Sequence, residues 1–142
     1  MKLIHHLTIL IGAFLLFQVQ PLLGKWILPW FGGGPTVWTT CLLFFQSALL
    51  AGYAFAHVSE RYLPRTLRLV VQLGLILAAA MLLPICPGDA WKRHAPGNPT
   101  WTILLLLAAY VGAPYFLLST TGPLVQAWYS RAHPDRSPYR LY

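Results

Sequence analysis

The sequence predicts an all-α fold that crosses a membrane with four helices. Hydrophobic residues make up 57% of the 142 residues and charged residues only 9%, whereas a soluble domain usually has about 25% charged residues. Four stretches are apolar over roughly the 20 residues that a membrane-spanning helix needs. We expect one membrane domain over residues 1–142, with spans at residues 3–23, 37–58, 67–85 and 101–128.

The first span resembles a signal peptide because an apolar run follows Lys2. However, residues 19–24 offer Gln, Pro and Leu where a signal peptide has a small-x-small cleavage site. The apolar run is also longer than a typical signal core. We therefore interpret it as a retained first helix.

The connection that follows, residues 24–36, contains three consecutive glycines and then Pro35. This combination does not favour a continuous helix. Trp26 and Trp30 flank the glycines, and tryptophan is enriched at membrane interfaces. The sequence predicts a short, tight turn at the membrane surface.

The second span carries small residues at intervals of four, namely Ala48, Gly52 and Ala56. This spacing places them on one face of a helix, where small side chains allow a second helix to approach closely. We predict a helix-packing face here.

A short charged connection with Glu60, Arg61 and Arg65 separates the second and third spans. Pro64 within it can end one helix and begin the next. We predict a cytoplasmic loop.

Prolines also interrupt the first and last spans, and we expect helix breaks at Pro21, Pro114 and Pro123. Irregular backbone at membrane depth persists only where it is buried in protein or lines a water-filled cavity.

One pattern occurs twice: Phe-Leu-Leu, four residues, Pro-Leu, an aliphatic residue, two residues and Trp. The first copy runs from Phe14 to Trp26 and the second from Phe116 to Trp128. With four spans the copies cross the membrane in opposite directions, as in the inverted repeats of secondary transporters. A chance match in a chain rich in Leu, Phe and Trp is the alternative.

Uncharged polar residues precede two of the prolines: Gln18 and Gln20 before Pro21, and Thr120 and Thr121 before Pro123. They are candidates for lining a polar pathway. Alternatively, they satisfy backbone groups released by proline or bond between helices.

The acidic residues are few and lie outside the predicted spans, at Glu60, Asp89 and Asp135. The spans therefore lack the intramembrane acid of a usual proton relay and the carboxylate pair of acid–base catalysis. We expect no enzyme activity, no catalytic residues, and no metal or cofactor. A bis-histidine haem protein is a remote alternative, because four histidines fall at one predicted membrane face: His5, His6, His57 and His133.

The positive charge is distributed unevenly. Of the ten Lys and Arg residues, seven flank the N-terminus, the second connection and the C-terminus. The positive-inside rule then places both termini in the cytoplasm. Because membrane topology accounts for the net charge of +7, we expect a lipid bilayer and partner membrane helices or an oligomer as partners, and no nucleic acid.

The two cysteines, Cys41 and Cys86, fall towards the predicted outer face of the membrane. They either form a disulfide or are buried separately as small apolar residues.

Five segments resemble the N-terminal membrane region of bacterial proteins described as fused major-facilitator/spermidine synthases. They are FQVQPLLGK (residues 17–25), GGGPTVW (32–38), LLAGYA (49–54), STTGPL (119–124) and SPYRLY (137–142). The resemblance implies the first helices of a major-facilitator-like half, a bacterial inner membrane and a polyamine-class solute. The relatives' aminopropyltransferase motifs do not occur here. Glu60 and Arg61 fall where major-facilitator proteins place an acidic-basic loop, although Ala56 and Pro64 replace the glycines of that loop.

Two functional hypotheses follow. The first is a non-catalytic membrane subunit or module of a larger assembly or longer protein. The second is a transporter-like module for a small polar or cationic solute. Four helices do not enclose an alternating-access pathway, which is built from two packed repeats.

Overall fold

The computed structural model describes residues 2–83 and 99–132, and these form a helical bundle. Within these ranges there is no strand, so the all-α prediction is confirmed for them. A 3-10 helix, Leu28–Trp30, follows α1, and a π-helical segment, Ala108–Gly112, joins α4 to α5. The α-helices are α1 (Lys2–Ile27), α2 (Pro35–Tyr62), α3 (Arg65–Met81), α4 (Pro99–Leu107) and α5 (Ala113–Ala132).

Three helical segments in the described ranges are long and apolar enough to span a membrane: His6–Trp30, Pro35–Tyr62 and Pro99–Arg131. The prediction of four such helices is wrong for these ranges. The third predicted span, residues 67–85, overlaps α3, which has 17 residues and is about 25 Å long at 1.5 Å per residue. That is less than the roughly 30 Å of a bilayer's hydrocarbon core. The last two residues of that predicted span lie outside the described ranges.

Contacts along α1 and α5 show that these two helices run antiparallel. Ile9, near the start of α1, packs against Val125 and Tyr129 near the end of α5. Further along α1, the side chain of Gln20 bonds to that of Tyr115, near the start of α5. The two copies of the doubled pattern therefore lie on adjacent, oppositely directed helices.

By contrast, α2 and α5 run parallel. The ring of Phe45 lies 4.9 Å from that of Tyr115, Gly52 faces Ser119 one or two turns further along, and Glu60 reaches the end of α5. The start of α1, the end of α2, the start of α3 and the end of α5 therefore lie together. We call this the basic end of the bundle, after Arg61, Arg65, Arg68 and Arg131.

The main apolar core lies towards the opposite end, between α1, α2 and α4. Ile27, Leu106 and Leu107 are fully buried there. Cys41 belongs to this core as a buried free thiol; Cys86 lies outside the described residues. The remaining core residues are Leu23, Val37, Phe45, Ile103, Val111 and Tyr115.

The glycine-rich connection forms the predicted tight turn. Gly32 and Gly33 have φ values of +87° and +64°, which favour glycine because a Cβ is disfavoured there. The Gly33 N–H donates to the Leu28 carbonyl at 2.9 Å. Pro35 then begins α2, at a position where its missing N–H removes no helical hydrogen bond.

Where the sequence predicts breaks at Pro21 and Pro123, the structure instead has continuous helices through both residues. Helix breaking by proline is overridden where neighbouring helices hold the segment. Pro114 is the second residue of α5 and lies two residues after the end of the π-helical segment at Gly112. Because Pro114 has no N–H, the irregularity near it takes the form of a wider turn.

The closest approach between α2 and α5 occurs at Gly52. A Cβ on this buried glycine would lie 2.8 Å from the Ser119 Cβ and 3.4 Å from the Phe116 carbonyl oxygen. The Ser119 hydroxyl is itself held in place, since it donates to that carbonyl at 2.7 Å. Only glycine lets the two backbones pack at this separation.

We therefore predict that Gly52→Ala lowers the free energy of unfolding by about 1–3 kcal/mol through overpacking. SDS-induced unfolding in mixed micelles, followed by circular dichroism, measures it. Gly74→Ala is the matched control, because a Cβ at Gly74 meets nothing within 4 Å. Adding Ser119→Gly should restore much of the lost stability. An unaltered Gly52→Ala unfolding curve would contradict the close approach.

Candidate functional site

An ion cluster of three side chains lies at the basic end. Glu60 accepts a hydrogen bond through Oε1 from Arg68 Nη1 at 2.6 Å. Its other oxygen, Oε2, forms an ion pair with Arg131. The cluster joins the end of α2, the start of α3 and the end of α5.

The turn between α2 and α3 positions Arg68. The Leu63 N–H donates to the Ser59 carbonyl at 3.1 Å and closes α2. Pro64 is extended, and α3 begins at the next residue. Arg68 lies one turn into α3, and its Nη2 donates to the Leu63 carbonyl at 3.0 Å. The guanidinium thus bonds to both the carboxylate and the backbone of the turn.

Burial determines how much each ion pair contributes. The side chains of Glu60 and Arg68 are 14% and 10% exposed, whereas that of Arg131 is 54% exposed. Removing one partner of a buried pair leaves an uncompensated charge and costs about 3–5 kcal/mol, whereas an exposed pair contributes about 0–1 kcal/mol. The Glu60–Arg68 pair is therefore the stronger support of the basic end.

A cavity of about 610 Å³ opens beside this cluster. Among the described residues, Arg65, Arg68, Leu69, Trp128 and Arg131 form its walls. The Nε of Arg68 is buried and has no hydrogen-bond partner among the described residues. The cavity therefore combines arginine side chains with an apolar wall.

The predicted charged loop is mostly helical. Glu60 and Arg61 belong to the last turn of α2, and Arg65 is the first residue of α3. The Arg61 guanidinium lies 5.6 Å from the centroid of the Tyr62 ring, outside the ion cluster.

The four residues predicted to line a polar pathway have different surroundings. Gln20 donates from Nε2 to the Tyr115 hydroxyl at 2.6 Å, across the contact between α1 and α5. Thr120 and Thr121 both donate to the Leu117 carbonyl within α5, at 2.8 and 2.9 Å. Gln18 is exposed on the outside of α1.

Two smaller cavities lie between helices. One of about 240 Å³ separates α1 from α2 and includes Gln20 and Pro21 in its lining. The other, about 300 Å³, lies between α1, α2 and α5, with Thr8, Tyr53 and Ser119 among its lining residues.

On the predicted packing face, Gly52 and Ala56 are buried and Ala48 is half-buried. Of the histidines proposed for haem, His6 is half-buried and His57 is exposed, while His133 lies outside the described residues. Within the described part of the chain, no group of three or more His, Cys, Asp or Glu side chains is arranged to hold a metal.

Sequence reasoning missed three partners. In the sequence, Arg68 is one of the basic residues that flank the second connection, and its position one turn after Pro64 allows it to fold back onto the end of α2. Arg131 and Tyr115 are far along the chain from Glu60 and Gln20, and no local pattern connects them. Only the register of α5 against α1 and α2 brings them together.

Over the described residues, these observations define the class of the protein as an all-α bundle with three candidate membrane spans and a largely buried Glu60–Arg68 ion pair at one end. Comparisons with protein-family models, curated proteins and solved structures found no match.

We predict that Glu60→Gln lowers the free energy of unfolding by about 3 kcal/mol, because Arg68 is left as a buried, uncompensated charge. SDS-induced unfolding followed by tryptophan fluorescence measures it. Arg61→Gln is the matched control, with an expected change below about 0.5 kcal/mol. The double variant Glu60→Gln/Arg68→Met should recover part of the loss, since it removes both charges. Equal stability of Glu60→Gln and Arg61→Gln would exclude a supporting role for the pair.

Proposed function

We propose that this chain is a non-catalytic, membrane-embedded helical module that functions in a larger assembly with other membrane helices. The proposal rests on the exposed position of Gln46 within a candidate membrane span. It lies well inside α2, Pro35–Tyr62, on the exposed surface of a helix apolar enough to cross a membrane. No hydrogen bond joins its amide to the described residues.

An amide in hydrocarbon without a hydrogen-bond partner is costly, by several kcal/mol in a solvent that offers no partner. Gln side chains in membrane helices therefore bond across helix–helix contacts. Gln20 illustrates this inside the bundle, where Tyr115 satisfies it. Gln46 and Gln18 face outward instead, so a further helix is the natural source of their partners.

The surroundings of Gln46 are suited to such a contact. Leu43 and Leu50, one turn away on either side, are 59% and 71% exposed. The adjacent Ser47 is also exposed. An apolar helix surface with a central amide offers both packing and one directional hydrogen bond to a second helix.

The orientation follows from charge. The basic end concentrates Arg61, Arg65, Arg68 and Arg131, whereas Lys25 lies near the other end of the bundle. Under the positive-inside rule the basic end lies in the cytoplasm, and we propose the bacterial inner membrane as the location.

We predict that Gln46→Leu shifts the protein from an assembly to a smaller species. The full chain is extracted with its lipids into polymer-bounded discs, and its mass is measured by analytical ultracentrifugation. Wild type should be larger than a monomer, and Gln18→Leu tests the second amide in the same way.

Leu50→Met is the matched control, since it alters the same face of α2 without an amide, and it should keep the wild-type mass. A wild-type chain that is monodisperse and monomeric, with no partner, would overturn the proposal. An assembly unaffected by both Gln46→Leu and Gln18→Leu would show that these amides do not hold it together.

A further inference from the structure

We propose that the cavity at the basic end binds a phosphate group, carried by a phospholipid headgroup or by a free phosphate compound. The cavity, of about 610 Å³, lies between the start of α3 and the end of α5. This site is independent of the exposed amide on α2.

The first argument is charge. Three arginines, Arg65, Arg68 and Arg131, are among the residues that line the cavity. Among the described residues, the carboxylate of Glu60 is the only acidic group paired with them. Two positive charges are therefore left unbalanced in this part of the chain, and arginine is the residue best suited to bonding phosphate oxygens.

The second argument is an unused donor. The Arg68 side chain is only 10% exposed, and its Nη1 and Nη2 already bond to Glu60 and to the Leu63 carbonyl. The Nε is buried with no partner in the described ranges. A buried donor without an acceptor is unfavourable, and this one belongs to a side chain that lines the cavity.

The third argument is the backbone. The N-terminus of α3 lies at this cavity, and its capping residue, Pro64, makes no side-chain hydrogen bond. The first N–H groups of a helix lack partners within the helix and, together with the helix dipole, favour an anion. The N–H of Arg68 donates to the Pro64 carbonyl at 3.1 Å and makes the first hydrogen bond of the helix. The N–H groups of residues 65–67 come before this bond and have no partner within the helix.

The walls also indicate what adjoins the phosphate. Leu69 and Trp128 contribute apolar surface beside the arginines, and Trp128 is 38% exposed. Basic pockets between helices on the cytoplasmic side of a membrane bind anionic headgroups in this way, with the acyl chain along the apolar wall.

Native mass spectrometry of the full chain, released from nanodiscs into detergent, tests the site. The probes are phosphatidylglycerol, phosphatidylcholine and inorganic phosphate. We expect wild type to retain one phosphatidylglycerol in preference to phosphatidylcholine. Displacement of that lipid by inorganic phosphate, or binding of phosphate alone, assigns the site to free phosphate compounds. Retention that phosphate does not affect assigns it to the lipid.

Variants distinguish binding in the cavity from attraction to the net charge of the basic end. Arg65→Gln should weaken retention about tenfold, as expected for loss of one charge-assisted hydrogen bond. Arg61→Gln removes the same charge outside the cavity and should leave retention unchanged. Arg68→Lys keeps a positive charge beside Glu60 but removes the guanidinium group of a cavity-lining residue, and retention should fall.

Equal retention of both lipids together with no binding of inorganic phosphate would overturn the proposal. So would an equal loss of affinity in Arg61→Gln and Arg65→Gln, because net charge rather than the cavity would then explain the binding.

Discussion

The close approach of α2 and α5 at Gly52 and Ser119 holds these two helices against each other. These helices run parallel, and on the N-terminal side of that contact the rings of Phe45 and Tyr115 lie 4.9 Å apart. In the other direction, the same register carries the end of α5 to Glu60. One small residue thus aligns an aromatic contact at one end and an ion pair at the other. A larger residue would separate the backbones and loosen both.

The polar side chains of the bundle have three kinds of environment. Hydroxyls bond to carbonyls of their own helix, as Thr120 does. Charged groups collect at the basic end, where Glu60 compensates Arg68. Amides are either paired across helices, as Gln20 is with Tyr115, or face outward, as Gln46 does. The outward-facing amides have no hydrogen-bond partner among the described residues, and the proposal that other helices bind there rests on them.

The sequence predicts those features that depend on local chemistry. Three glycines before Pro35 require a turn, and a turn forms there with two positive φ values. Predictions from the sequence are wrong where packing between helices determines the structure. Proline chemistry predicts a break at Pro21, yet α1 continues. Apolar composition predicts a third span, but α3 ends at Met81 and is too short.

The sequence does not predict the ion cluster, because the cluster also depends on packing between helices. Glu60 and Arg131 are brought together only by the register of α2 against α5, which depends on the Gly52 contact rather than on any spacing along the chain. The family resemblance and the inverted repeat remain predictions.

Arg68 connects the stability of the basic end with its capacity to bind an anion. Its guanidinium bonds to Glu60 and to the Leu63 carbonyl, so the group is held rigid before any ligand arrives. A preorganised donor loses less entropy on binding than a free side chain. The same arrangement weakens the attraction between Arg68 and a phosphate, because Glu60 offsets part of the positive charge. Arg65, which has no such competitor among the described residues, therefore supplies the attraction that discriminates a charged headgroup from a neutral one. Because a ligand that binds only the folded state stabilises that state, an occupied cavity would in turn hold α3 against α5, the helix on which it chiefly packs.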